Sequence, residues 1–142
     1  MIKYKQKIII TTLSLFVSLG VFAQKADDII GKYHLPNKLD IEIYKIANSY
    51  FGKVIALNNW GNGQTKDYKN PDISKRNEPL IGKVIIKNLK FDANKKEWIN
   101  GEMYGPEKGM FFNLKVTKIY ENKIEVIGSK FFLWKTLIWG KI

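Results

Sequence analysis

The sequence contains no cysteine, one histidine and one arginine. Without cysteine there is no disulfide framework, no thiolate metal site and no thiol nucleophile, and His34 alone cannot make a histidine metal cluster. A single imidazole allows one general base at most, and no Gly-x-Ser-x-Gly segment offers a serine nucleophile. His34 stands two residues before Pro36 and reads as a turn residue. The spacing of Asp67, Asn70 and Asp72 matches no cation loop, and turn capping accounts for these residue types equally well. The chain is therefore expected to be no enzyme and to need no cofactor or metal.

Long apolar runs are also scarce. The one that stands out, Ile8–Phe22, has 15 residues, short of the roughly 20 that a spanning helix needs. Lys3, Lys5 and Lys7 precede it, and Val21-Phe22-Ala23 places small residues at the two positions a signal peptidase inspects. Residues 1–23 read as a cleaved signal peptide, with export to the periplasm and residues 24–142 forming one domain. No cysteine follows the run, so a lipoprotein-type anchor is excluded.

What is abundant is lysine. Lys and Arg number 24 against 13 acids, a net charge of +11. The lysines are scattered, with no run longer than Lys95-Lys96. Nucleic-acid readers lean on arginine forks, which Arg76 alone cannot supply. The pattern is that of a solvated surface with weak attraction to anionic envelope lipids, and no nucleic-acid partner is expected.

After residue 24 the dominant motif is alternation of apolar and polar residues, broken by Gly, Asn, Asp and Pro turns. Segments at 31–35, 39–44, 50–57, 80–89, 98–104, 110–119, 124–128 and 131–139 predict about eight antiparallel strands in an all-β meander. Closing it into an up-and-down barrel would remove exposed edges. With the lysines turned outward, Lys83 and Lys87 among them, the inward set includes Leu39, Ile41, Ile43, Val54, Leu80, Val84, Ile86, Met110, Phe112, Leu114, Val116, Ile124, Val126, Phe132, Trp134 and Ile138. Tyr50 and Thr136 are its polar members, and Gly52, Gly82 and Gly128 fall on the same face, where they either kink strands or leave room for a ligand. One long connection, Asn58 to Pro79, breaks the short-turn pattern and is expected to fold as a lid over a barrel end, with Asn70-Pro71 starting a helical turn.

These residues carry a family resemblance. Asp67, Asn70-Pro71-Asp72, Arg76, Pro79-Leu80-Ile81-Gly82, Trp98, Gly101, Tyr104, Gly105-Pro106 and Gly109 resemble the domain-of-unknown-function family 2147, small exported bacterial proteins. Gly31-Lys32-Tyr33 is similar to the start of that family, with Tyr33 where it has Trp. Ile127 and Trp134 depart from its usual Arg and Gly. The resemblance implies a lipocalin-like (calycin) barrel, in which an aromatic near the start plugs one end and a late lysine, Lys141 or Lys135, stacks on it. It implies no activity.

In a chain this rich in lysine, the lone Arg76 marks a place where fork geometry matters. It is expected either to staple the loop through Asp67 or Asp72, or to bind the anionic head of an amphiphile. The candidate binding residues are Arg76, Asp67, Asn70, Asp72, Tyr50, Gly52, Gly82, Trp98, Tyr104 and Trp134. The leading expectation is a periplasmic barrel that binds a small apolar or amphiphilic molecule, lipid- or fatty-acid-like. The alternative is a filled barrel acting as an envelope interaction or inhibitor-type module, with Trp60 and Tyr68 exposed on the loop as anchors. A lumen next to the three glycines would distinguish the first from the second.

Overall fold

The computed structural model describes residues 23–142, so the expected signal segment lies, up to residue 22, outside the described residues. Eight strands follow one another around a closed antiparallel barrel: β1 (Gly31–His34), β2 (Asp40–Ile46), β3 (Ser49–Ala56), β4 (Val84–Asp92), β5 (Glu97–Gly105), β6 (Met110–Ile119), β7 (Lys123–Lys130) and β8 (Leu133–Lys141). Closure comes from Tyr33 opposite Lys141 and His34 opposite Gly140, extended by the Ile142 amide donating to the Lys32 carbonyl. The seam is short: β1 has four residues, and it meets β8 only at the far end of that strand.

Up-and-down order puts the β1–β2, β3–β4, β5–β6 and β7–β8 connections at one end and the chain termini at the other. The terminal end is plugged. A 3-10 turn, Ala26–Ile29, tucks Ile29 into the barrel at 0% exposure, a burial that contributes about 1.5–3 kcal/mol. Trp98 Nε1 donates to the Ala26 carbonyl at 2.9 Å, Tyr33 Oη to the Ile29 carbonyl at 2.7 Å, and Tyr50 Oη to Asp27 at 2.6 Å. Among the described residues no lysine stacks on Tyr33. That hydrogen bond to the turn anchors Tyr33 in place of the expected cation.

The expected inward face holds through β2, β3 and β7 and along β6 from Phe112 to Val116, with Met110 exposed at the start of that strand; elsewhere it fails for definable reasons. Leu80 is fully buried yet lies before β4, which begins only at Val84. Asn88 and Asn100 adopt positive φ, 63° and 62°, and there β4 slips against β3 and β5 against β6, while β4 and β5 keep one register with each other. Each is a bulge that Asn tolerates, and each shifts the alternation, so that Leu89 and Gly101 point inward. In β8 the phase is the reverse of the expectation. Val126 faces Leu137 and Ile124 faces Trp139, so Leu137 and Trp139 turn in while Trp134, Thr136 and Ile138 turn out. Phe132 lies in the turn before β8 and is exposed.

Side chains fill the described interior. A Cβ on Gly52 would lie 2.9 Å from Ile86 Cδ1, and one on Gly101 would lie 2.6 Å from Leu89 Cδ2 and 2.8 Å from the Leu114 carbonyl oxygen. These glycines make room for neighbouring side chains. An eight-stranded barrel is just wide enough to be filled in this way, and Trp98, Trp139, Tyr33 and Tyr50 occupy much of it.

Candidate functional site at the open end

The β3–β4 connection does more than cap the end. Its first half crosses the mouth over β1–β2, where Asn58 Nδ2 donates to the Lys38 carbonyl at 2.8 Å and Trp60 packs into the core. Trp60 is buried, contrary to its expected exposure, whereas Tyr68 is exposed. The second half runs down the outer wall of β4 and β5 and covers Ile85 and Tyr104, which the alternation turns outward.

That half is held by a buried polar cluster around Asp67, 1% exposed. Its carboxylate accepts from Tyr104 Oη at 2.7 Å and Asn70 Nδ2 at 2.7 Å, and faces Lys83 Nζ at 3.3 Å. Lys83 also meets Glu78 at 2.7 Å, so it belongs to this cluster and not to the wet face. Burial lowers the Lys83 pKa, but hydrogen bonds to Glu78 and Asp67 outweigh it and leave the ammonium above its ordinary range. Burial first, then the Asp67 hydrogen bond, pushes the Tyr104 hydroxyl well above the usual tyrosine value.

Arg76 is exposed and makes no ion pair among the described residues; its Nε donates to the Asn70 carbonyl at 2.7 Å. It staples the loop through backbone, not through the expected carboxylate fork. The short helical turn starts later than expected, at Ile73–Lys75, capped by Asp72, which accepts from the Ser74 amide at 3.0 Å; Asn70 instead accepts from the Asp72 amide at 2.9 Å. Gly109 is where the loop meets the β5–β6 turn: its φ is 62° and a Cβ there would sit 1.9 Å from the Lys69 carbonyl oxygen. No other residue fits that approach.

The expected site residues therefore occupy separate places. Asp67, Asn70, Asp72, Arg76 and Tyr104 join in the loop cluster. Tyr50 and Trp98 lie at the plugged end, where the Tyr50 hydroxyl is raised above its usual pKa by burial and by Asp27. Gly52 sits under Ile86, Gly82 lies in the loop and not on the inner face, and Trp134 stands exposed at the edge of the mouth.

The loop leaves the β5–β8 side of the mouth uncovered. There a cup of about 370 Å³ opens between Met110, Phe112, Gly128, Leu133, Trp134 and Leu137, with Lys108, Lys130 and Lys135 on its rim and Glu107 beside Lys108. Lys130 Nζ donates to the Phe111 carbonyl at 3.0 Å, which ties β7 to β6 at the lip. Of these residues Trp134 is an expected binding residue, and Gly128 is one of the three glycines expected to kink a strand or to leave room for a ligand. The alternation places Met110 and Phe112 in the core, the family resemblance offers Lys135 as a stacking cation, and the signal for the cup is the lysine-framed Phe131–Trp134 run.

Comparison with curated proteins finds no match. A solved structure, protein HP1028 from the human pathogen Helicobacter pylori, described as belonging to the lipocalin family, is similar with a TM-score of 0.70, 19% identity and 84% of each chain covered. At that identity the likeness establishes the barrel fold. A family model described as uncharacterized protein conserved in bacteria (DUF2147) matches residues 31–141. The chain is a member of that bacterial family, built on a lipocalin-like barrel.

Proposed function

We propose that the protein is an exported, non-catalytic binding module that takes a small apolar or amphiphilic molecule at the mouth of the barrel, not in its lumen. The observation that carries this reading is the cup of about 370 Å³ beside Phe112, Leu133 and Leu137, above an interior already filled by side chains. Its size falls within the roughly 300–1,000 Å³ of small-molecule sites. The apolar walls suit an acyl chain or ring, and Lys130 and Lys135 on the rim suit a carboxylate or phosphate head.

The test is native mass spectrometry of the protein recovered after export, together with titration of a fluorescent fatty acid. A co-purifying mass removable by organic solvent, and saturable probe binding weakened about tenfold in Leu133→Glu/Lys135→Glu, are expected; tenfold corresponds to about 1.4 kcal/mol. A clean apo mass with no saturable probe binding refutes the reading. The mass of the mature chain also reports whether cleavage follows Ala23.

A further inference from the structure

The β7–β8 hairpin has a feature that folding does not ask for. Lys130 pairs with Leu133, so the turn consists of Phe131 and Phe132 alone. Phe131 has φ 55°. A two-residue hairpin with positive φ at its first turn residue is ordinarily built with glycine there, and for a bulky side chain this conformation is strained. Yet both phenylalanines point to solvent, at 89% and 82% exposure, followed by Leu133 and Trp134 at 65% and 75%. Backbone strain combined with four consecutive exposed apolar side chains points to a role outside the fold.

From this geometry we infer that the hairpin tip docks the protein onto the surface of a lipid bilayer bearing anionic head groups. The tip projects, so it is shaped to enter an interface more than to receive a ligand. Strand rise places Trp134 about 7 Å and Lys135 about 10 Å behind Phe132, while Lys130 stands directly behind Phe131, its Nζ 5.9 Å from that ring. Aromatic side chains at the headgroup boundary with lysines just above them are what an interface of this depth accommodates. Lys108 on the same lip adds positive charge, with Glu107 the acidic neighbour, and residues 24–142 carry 21 Lys and Arg against 13 acids, a net +8. Met110, 41% exposed at the start of β6, adds apolar surface in the cup beside the tip. The inference extends the proposed function, because a cup opening beside the tip would meet lipid directly, but it does not require the cup to be occupied.

The experiment uses the intrinsic fluorescence of the secreted protein. Of its four tryptophans, Trp60, Trp98 and Trp139 are buried and Trp134 is exposed, so a blue shift on adding lipid reports on Trp134. Vesicles of equal parts phosphatidylcholine and phosphatidylglycerol are expected to bind the protein, shift its emission and shield it from acrylamide, with binding falling as salt rises. Phe131→Gly/Phe132→Asn, chosen to relieve the turn, is expected to keep or raise Tm while weakening vesicle binding by about tenfold or more. No shift on the mixed vesicles, equal binding by the variant, equal binding to phosphatidylcholine alone, or attachment of the tip only to a protein would each overturn the inference. Fatty-acid binding without vesicles, read on the same variant, keeps the two proposals separable, since neither Phe131 nor Phe132 lines the cup.

Discussion

Replacing Asp67 by Ala tests whether the polar cluster latches the long loop to the barrel wall. The substitution strands Tyr104 Oη and Asn70 Nδ2, both in residues no more than 5% exposed, while Lys83 keeps Glu78 at 2.7 Å. A hydrogen bond to a charged group contributes about 1.5–3 kcal/mol, and breaking a buried ion pair on one side costs about 3–5 kcal/mol. Because Lys83 retains a partner, the expected loss lies toward the lower end, about 3–4 kcal/mol. Urea denaturation of Asp67→Ala, Tyr104→Phe and the double variant measures it, and the cycle is expected to return a coupling of about 1–2 kcal/mol for the Asp67–Tyr104 pair. Trypsin supplies the local readout, since Lys66, Lys69, Lys75 and Arg76 lie in the loop. The released loop should be cut in Asp67→Ala under conditions where the barrel survives. A loss below about 1 kcal/mol with an unchanged tryptic pattern would refute the latch.

Three further outcomes follow from the packing and the shifted groups. Gly101→Ala should cost about 2–3 kcal/mol by denaturant midpoint, because its Cβ meets a backbone carbonyl; Gly52→Ala should cost less, since only the Ile86 side chain must give way. Ile29→Ala should lose about 2–4 kcal/mol, read as a lower thermal midpoint, and should expose Trp98 to quencher. Stability should fall under alkali: Tyr104 and Lys83 both hold protons more tightly folded than at their ordinary values of 10.0 and 10.5. Their contribution is thus complete below those values and lost as pH rises through the higher folded ones, and a pH series of urea midpoints should show Tyr104→Phe declining less steeply.

Much of this architecture is legible in the chain. Alternation in β2, β3 and β7 identifies inward residues correctly because those strands run with one face in a dry core and the other in water. The rule fails where its premise fails. At Asn88 and Asn100 an extra residue enters the strand relative to β3 and β6, and nothing in the apolar pattern marks where the period slips. In β8, Lys135 lies on the inward phase, opposite Gly128, but at a level where the mouth opens to solvent, so reading lysine as outward inverted the whole strand. Lys83 misleads for the opposite reason: loop carboxylates distant in sequence neutralise it on the barrel wall.

The sequence by itself determined the number of strands and their antiparallel order, because a two-residue period and turn chemistry are local properties; closure joins Tyr33 to Lys141 across the length of the domain, and in the sequence it is only what the family resemblance implies. It also carries the family pattern that the comparison identifies over residues 31–141. Only the tertiary structure decided that the glycines of the inner face serve packing, that Asp67 gathers Tyr104, Asn70 and Lys83, and that Phe131 to Trp134 are left in water. Those outcomes depend on which distant segments meet across the barrel. A linear pattern shows how apolar each residue is, but not whether another part of the chain arrives to cover it.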